Sequence, residues 1–299
     1  MKLLVTGGSG FVGRALCAHL TARGHDLTIL SRSPAKAGKI LPPSVRVLSS
    51  LDEIRDHEIY DGIINLAGEG IADRRWSRAR KQTLFDSRVG VTEALATLVD
   101  RLKHKPGVLV SGSAVGFYGD AGSVELDESS PAVRRDFTYL LCDAWEKAAR
   151  DIGRRGVRVC ILRIGVVLGN GGMLSRLLPA YRLGLGARLG NGQQWLSWIH
   201  LDDLLAVLTN CLELGNAEGV YNAVAPNPVT YARFHESLAS ACHRPALFSA
   251  PALPVKLVLG EMSVLLLGGQ RVLPARLAGQ GFSFRYSTID EALAAVCAR

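Results

Sequence analysis

The sequence predicts an α/β protein built on a Rossmann-type doubly wound parallel sheet, followed by a smaller C-terminal α/β substrate region. Short apolar runs alternate with segments of helical periodicity up to about residue 165, a pattern that favours a parallel sheet with helices on both faces. A glycine-rich turn joins the first apolar run to the first helical segment. Hydrophobic residues make up 48% and charged residues 21% of the 299 residues, as in globular domains.

The elements follow in order along the chain. Residues 2–6, 27–30, 63–66, 108–111 and 157–163 are predicted strands, and residues 12–23, about 77–103 and 137–152 are predicted helices. Gly24 ends the first helix, and the second is expected to break near Ser87. Glycine-rich loops follow Gly165 and prolines recur beyond residue 245. We therefore expect a nucleotide-binding domain over residues 1–220, with substrate-side insertions after 165, and a small C-terminal domain over 245–297.

Charge and cysteine content narrow the functional classes. The formal net charge is +8, and five of the nine residues from Asp73 to Lys81 are basic, which is typical of a solvated helical face or of the rim of an anion pocket. No nucleic-acid motif accompanies them. The six cysteines are scattered without metal-ligand spacing, and no apolar run approaches the roughly 20 residues of a membrane helix. We expect a cytoplasmic protein with no metal, nucleic-acid or membrane partner.

The turn after the first strand carries the strongest functional signal. Gly8, Gly10 and Gly13 match the G-x-G-x-x-G fingerprint, and Gly7, Gly10 and Gly13 match the spacing G-x-x-G-x-x-G. Glycines there let the backbone approach a pyrophosphate, which the helix N-terminus attracts. The strand before and the helix after supply the required context. We assign the cofactor's pyrophosphate to Gly7, Ser9, Gly10, Phe11, Val12 and Gly13.

The end of the second strand indicates which dinucleotide is bound. An acidic residue there selects NAD through the ribose hydroxyl, but this strand ends in Ser31 and Arg32. Arg32 can pair with a 2′-phosphate and Ser31 can donate to it. The sequence therefore predicts NADP(H) in preference to NAD(H).

Further blocks give the chain a resemblance to a known family. They are NLAGE (65–69), RW (75–76), SR (87–88), SGSAVGFYGD (111–120), WE (145–146), RIGVVLG (163–169), WIHLDD (198–203) and GGQR (268–271). Together with the glycine turn they resemble the extended short-chain dehydrogenase/reductases, and within them the atypical epimerase family of the YfcH type. The resemblance spans nearly the whole chain and implies that its C-terminal part is the family's domain of unknown function.

The resemblance also implies roles for individual residues. It implies that Ser31 and Arg32 contact the 2′-phosphate and that Leu66 and Ala67 line the adenine and ribose channel. It places Thr83 and Arg88 where relatives touch cofactor, and Val166 near the nicotinamide. We add Gly68 and Glu69 to the cofactor site because they continue the loop after the third predicted strand, although Gly68 could equally serve as a turn glycine and Glu69 as an acid or base.

The catalytic residues match the superfamily only in part. Its members use a serine with a tyrosine and a lysine four residues later, because the lysine's charge lowers the tyrosine pKa. Ser113 matches the serine, but Thr138 and Cys142 stand at the other two positions. Tyr139 is one residue away and has Asp143 four residues on, which would raise a phenol pKa. Ser113 is therefore the catalytic candidate.

Other polar residues near the predicted strand ends have alternative interpretations. Tyr118 and Arg163 could serve the site, Arg163 either by holding an anionic substrate group or by pairing with an acid. For His200 we favour a structural hydrogen bond. Trp195 and Trp198 are expected in the core or in a pocket wall.

Two functions remain open from the sequence. The first is an NADP(H)-binding oxidoreductase or epimerase acting on an unknown small molecule. The alternative is a non-catalytic NADP(H)-binding regulatory protein linked to cell division, which the missing tyrosine and lysine favour. Substrate-dependent oxidation of NADPH discriminates between them.

Overall fold

Seven parallel strands form the central sheet of the computed structural model, which describes residues 1–298. In chain order they are β1 (Lys2–Thr6), β2 (Asp26–Leu30), β3 (Arg46–Leu48), β4 (Gly62–Asn65), β5 (Val108–Ala114), β6 (Arg158–Ile164) and β7 (Gly219–Ala223). Their spatial order is β7-β6-β5-β4-β1-β2-β3. The chain thus winds outward from β1 to one edge and from β4 to the other, which confirms the doubly wound topology.

Helices cover both faces of this sheet. The α-helices are α1 (Phe11–Ala22), α2 (Pro34–Gly38), α3 (Arg78–Phe85), α4 (Val91–Arg101), α5 (Phe137–Gly153), α6 (Gly172–Arg182), α7 (Leu201–Glu213), α8 (Tyr231–Ala241), α9 (Ala252–Leu259), α10 (Val264–Leu267), α11 (Ala275–Gly279) and α12 (Ile289–Cys297). One core packs α1 and α7 on the sheet, and a second core packs α4 and α5 on its other face. Leu3, Leu4 and Val5 of β1 are fully buried between them, which explains the continuous apolar run.

The predicted break near Ser87 is confirmed. A π-helical turn, Asp86–Gly90, joins α3 to α4, and such turns are frequent at functional sites. The sequence pattern does not predict β3 or β7. β3 has only three residues and lies at the sheet edge. β7 contains Gly219 and Asn222, which are poor strand formers, and it is held by its register with β6.

Four pairs of short strands lie outside the central sheet. They are Val166–Leu168 with Trp198–His200, Trp195–Leu196 with Val229–Thr230, Ala187–Leu189 with Phe248–Ala250, and Glu125–Leu126 with Arg271–Val272. The last two pairs attach the C-terminal segment to earlier parts of the chain. A third core joins α6, α8 and α12, with Trp198 fully buried inside it. No helix in the described part of the chain has the length and apolar character needed to cross a bilayer.

Asp203 fixes the C-terminal segment to the main body. Its buried carboxylate accepts the backbone N–H of Arg285 at 2.7 Å and that of Tyr286 at 3.1 Å. Both donors lose their partner if the carboxylate is removed, and hydrogen bonds to a charged group contribute more than those between neutral groups. The two aspartates of the WIHLDD block therefore have different roles. Asp203 binds the C-terminal segment, whereas Asp202 lies in the first turn of α7 and is partly exposed.

We predict that Asp203→Ala lowers the free energy of unfolding by about 2–4 kcal/mol, since two hydrogen bonds to a charged group are lost. Urea denaturation followed by circular dichroism measures this. The matched control, Asp202→Ala, removes a helix-terminal charge and an exposed ion pair with Arg285 and should cost less than about 1 kcal/mol. Equal losses in the two variants would contradict the anchoring role of Asp203.

Candidate nucleotide-binding site

The glycine turn is formed by backbone contacts too close for side chains. Gly7 has a φ of +72°, and a Cβ there would lie 2.3 Å from the Leu66 carbonyl oxygen. A Cβ on Gly13 would lie 2.2 Å from the Gly7 carbonyl oxygen, which also accepts the Gly10 N–H at 3.0 Å. A Cβ on Gly8 would meet side-chain atoms instead. The geometry therefore requires the spacing of Gly7, Gly10 and Gly13.

Helix α1 presents an open N-terminus beyond this turn. Its N-cap is Gly10, which supplies no side-chain acceptor, and its first turn contains no acidic residue. The first N–H groups of a helix have no intrahelical partner and carry partial positive charge. Ser9 lies on the turn, and Phe11 and Val12 open the helix. The arrangement suits a phosphate group.

Arg32 meets Glu69 across the end of β1. An Arg32 Nη1 donates to Glu69 Oε1, and Glu69 Oε2 lies 3.3 Å from Arg80 Nη1. The hydrogen bond from Arg32 lowers the pKa of Glu69, against a smaller opposing effect of burial. Ser31 is buried beside Arg32, and its hydroxyl accepts the Ser33 N–H at 3.2 Å. The sequence placed Arg32 and Glu69 in the same site but did not predict that they pair.

A buried polar network fixes the strand end that precedes Leu66 and Ala67. Thr6 Oγ1 donates to Asn65 Oδ1 at 2.6 Å, and Asn65 Nδ2 donates to Thr92 Oγ1 at 2.8 Å. The network joins β1, β4 and α4 and holds the loop from Leu66 against the glycine turn. The sequence reasoning missed this network. A polar residue at the end of each buried strand could have indicated Thr6 and Asn65, whereas Thr92 lies on α4 and no such signal points to it.

Two residues of the π-helical turn hold the backbone of the same loop at Glu69. Ser87 Oγ accepts the Glu69 N–H at 3.1 Å, and Arg88 Nη2 donates to the Glu69 carbonyl oxygen at 2.9 Å. A Cβ on Gly68 would lie 2.9 Å from the Arg88 Cζ, so the Arg88 guanidinium packs directly on Gly68. Burial lowers the pKa of Arg88. Thr83 is exposed on α3 and its hydroxyl donates to the Ala79 carbonyl oxygen at 3.0 Å.

On the substrate side, Val166 and Phe11 meet glycine-rich segments. The Val166 N–H donates to the Ser197 carbonyl oxygen at 2.8 Å. A Cβ on Gly171 would lie 2.3 Å from Phe11 Cδ2, so the loop after Leu168 packs directly on the first residue of α1. These contacts join the glycine turn to the segment after Gly165.

Ser113 belongs to a buried charged network. Its hydroxyl donates to Glu146 Oε1 at 2.9 Å. Arg163 binds the same carboxylate through Nε at 2.8 Å and Nη2 at 3.0 Å, and its Nη1 donates to the Tyr118 hydroxyl oxygen at 3.0 Å. The guanidinium also lies 3.4 Å from the centre of the Phe117 ring. Arg163 therefore pairs with an acid, which was one of the two roles considered for it.

Two residues, Thr138 and Cys142, stand at the tyrosine and lysine positions of the superfamily. They face this network but lack the proton-transfer chemistry of a tyrosine and a lysine. A Cβ on Gly116 would lie 3.1 Å from Thr138 Cβ and 3.7 Å from Cys142 Sγ. Burial raises the pKa of the Cys142 thiol to about 12 and also raises the pKa of Tyr118. Neither group can exchange a proton readily near neutral pH. Ser113 stays the catalytic candidate by its position.

His200 and the tryptophans occupy structural positions. His200 Nδ1 accepts the Asp202 N–H at 3.1 Å and so caps α7, and its ring lies 3.9 Å from the Tyr286 ring. The Trp198 indole N–H donates to the Asn227 carbonyl oxygen at 3.0 Å. This geometry agrees with the structural interpretation of these residues.

The basic segment 73–81 lines a cavity. This cavity is open to solvent, has a volume of about 500 Å³ and is lined by Trp76, Arg78, Lys81, Arg135, Glu261 and neighbouring residues. Lys81 Nζ lies 2.6 Å from Glu261 Oε2, so this segment reaches the C-terminal region. Of the five basic residues of the run, Arg78 and Lys81 line the cavity, whereas Arg74 and Arg75 are exposed, so the rim of a pocket and a solvated face each describe part of it.

Comparisons with known proteins agree with this architecture. Residues 3–223 match the model of the NAD dependent epimerase/dehydratase family, and residues 250–296 match a domain of unknown function, DUF1731. The chain is 37% identical over 303 residues to the chloroplastic epimerase family protein SDR39U1 homolog of Arabidopsis thaliana, covering 99% of this chain and 86% of that protein. It is 36% identical over 300 residues to the epimerase family protein YfhF of Bacillus subtilis, covering 100% and 98%.

Solved structures show the same similarity. The crystal structure of human epimerase family protein SDR39U1 (isoform 2) with NADPH has a TM-score of 0.91 and 35% sequence identity, and the match covers 100% of both chains. MoeE5 in complex with UDP-glucose and NAD has a TM-score of 0.79 at 21% identity. This second match shows a shared fold.

We predict that Gly13→Ala weakens NADPH binding at least tenfold, because the new Cβ would meet the Gly7 carbonyl oxygen and displace the turn. Fluorescence titration measures the affinity. Gly38→Ala is the matched control, since nothing lies within 4 Å of a Cβ there. Unchanged NADPH affinity in Gly13→Ala would contradict the assignment of the turn.

Proposed function

The chain belongs to the NAD dependent epimerase/dehydratase family, and we propose that it is an NADP(H)-dependent oxidoreductase or epimerase acting on a small molecule. We further propose that it is of the YfcH type and works in the cytoplasm without nucleic-acid or membrane partners. The six cysteines support a reducing compartment because all are free. The comparisons do not favour the alternative of a non-catalytic regulator.

The observation that carries the proposal is the pairing of an open phosphate turn with Arg32. The turn and the N-terminus of α1 offer unpaired N–H groups to a pyrophosphate. A guanidinium, and no carboxylate, follows β2, which favours a 2′-phosphate over a free ribose hydroxyl. The NADPH in the human relative, at 35% identity over the full chain, supports the same cofactor.

The nicotinamide and the substrate are proposed to meet between β5 and the segment after Gly165. NADP(H) supplies or accepts a hydride when bound. The Ser113 hydroxyl donates to Glu146, and because a hydroxyl proton can rotate, Ser113 can instead donate to a substrate carbonyl oxygen. Arg163 and Arg150 both bind the Glu146 carboxylate and hold that acceptor in place.

The basic cavity is proposed to hold the rest of the substrate. Its three basic side chains, Arg78, Lys81 and Arg135, outnumber its two acidic ones, Asp136 and Glu261. Trp76 and Phe137 contribute apolar surface. Such a mixture suits an anionic molecule with an apolar or sugar portion. The Lys81–Glu261 ion pair supports a position of the C-terminal domain at the edge of this cavity.

We predict that Arg32→Asp weakens NADPH binding by at least tenfold, because attraction to the 2′-phosphate becomes repulsion. Isothermal calorimetry measures the dissociation constant. Arg154→Asp is the control: its side chain is 83% exposed against 84% for Arg32, and it precedes the amino end of β6. Equal NADPH affinity in wild type and Arg32→Asp would refute the NADP(H) assignment.

We also predict that NADPH oxidation in the presence of a panel of sugars, ketones and quinones is at least tenfold slower in Ser113→Ala, since the substrate oxygen loses its partner. Loss of NADPH absorbance gives the rate. Ser175→Ala is a control because Ser175 is exposed on α6. Tight NADPH binding without turnover on any substrate, together with a partner retained only when NADPH is present, would instead support the regulator.

A further inference from the structure

Arg32 and Glu69 extend from the two strands that flank β1. The sheet register aligns Thr6 at the end of β1 with Leu30 of β2 on one side and with Asn65 of β4 on the other. Arg32 follows Leu30 by two residues and Glu69 follows Asn65 by four. Their ion pair therefore crosses the carboxyl end of β1, directly beside the phosphate turn, where this fold binds ligands.

We propose that Glu69 is a residue that sets cofactor specificity, by acting as the counter-ion that holds Arg32 when no 2′-phosphate is bound. In this role the Glu69 carboxylate pairs with the Arg32 guanidinium, and the 2′-phosphate of NADP(H) has to displace it in order to bind Arg32. The inference rests on the proposed function and assigns Glu69 a task that opposes NADP(H) binding. A carboxylate at this place also offers an acceptor to the ribose hydroxyls of NAD(H).

The two arginines on Glu69 differ in a way that suits an exchange. The Arg32 side chain is 84% exposed, whereas that of Arg80 is 11% exposed. Exposed ion pairs contribute little to stability, so Arg32 can leave Glu69 at small cost. Arg80 also donates to the Gly70 carbonyl oxygen at 2.6 Å. Glu69 therefore keeps a cationic partner when Arg32 turns to a phosphate.

The surroundings of Glu69 fit a counter-ion better than a proton donor. The hydrogen bond from Arg32 lowers the pKa of its carboxyl group, which keeps it ionised at neutral pH. Its backbone is fixed by Ser87 and Arg88, so the carboxylate stays near Arg32. One carboxylate between two guanidiniums leaves a net positive charge, and this residual charge attracts a phosphate.

The test compares two nucleotides that differ in the 2′-phosphate, 2′,5′-ADP and 5′-AMP, by isothermal calorimetry at low ionic strength. We expect Glu69→Gln to bind 2′,5′-ADP about three- to fivefold more tightly than wild type, the range that an exposed ion pair can contribute. Binding of 5′-AMP should stay the same or weaken. In the Arg32→Ala background, Glu69→Gln should change 2′,5′-ADP binding by less than about twofold.

Glu58→Gln is the matched control, because Glu58 also pairs with an arginine, Arg46, at 2.6 Å but precedes β4 at the amino ends of the strands. Thermal unfolding checks that each variant is folded. Unchanged or weaker binding of 2′,5′-ADP by Glu69→Gln would overturn the role, as would an equal gain with and without Arg32. If wild type binds neither nucleotide, the proposed function fails and takes this inference with it.

Discussion

The close approach of backbone around Gly7 is the constraint on which the nucleotide site depends. The Gly7 carbonyl lies against Gly13 of α1, and the Gly7 α-carbon lies against the Leu66 carbonyl after β4. Two separate segments thereby touch the same residue, and no side chain fits between them. This contact sets the direction of α1, so that its open N-terminus faces the end of the sheet. The loop that contributes Glu69 is fixed by the same contact.

A second constraint is the burial of charge beside β5. Glu146 is fully buried and carries a negative charge that Arg163 and Arg150 balance. Removing one partner of such a pair leaves an uncompensated charge, so the network holds β5, α5 and β6 in fixed positions. Ser113 is part of this network through its donated hydrogen bond. The chain therefore departs from the superfamily in more than the two residues that replace the tyrosine and the lysine, because the Ser113 hydroxyl already donates a hydrogen bond to Glu146.

The sequence could predict features that depend on local geometry. It could not predict which distant residues or strands would pair in the folded chain. The spacing of Gly7, Gly10 and Gly13 identified the turn because only glycine permits those contacts, and the strand–turn–helix order confirmed its context. The break near Ser87 was also visible. The Arg32–Glu69 pair joins residues 37 positions apart, and nothing in the sequence around either one specifies the other. β7 was missed for a similar reason, since its pairing with β6 outweighs its weak strand propensity.

The helical segment from α3 to α4 connects the two halves of the proposed site. At one end Lys81 reaches Glu261 of the C-terminal region, and at the other Ser87 and Arg88 hold the Glu69 backbone. The π-helical turn between α3 and α4 adds one residue to the helical turn and so changes the direction in which Ser87 and Arg88 point. A regular α-helix would rotate them relative to Lys81. One helical segment thus contacts both the C-terminal region, at Glu261, and the loop that bears Glu69.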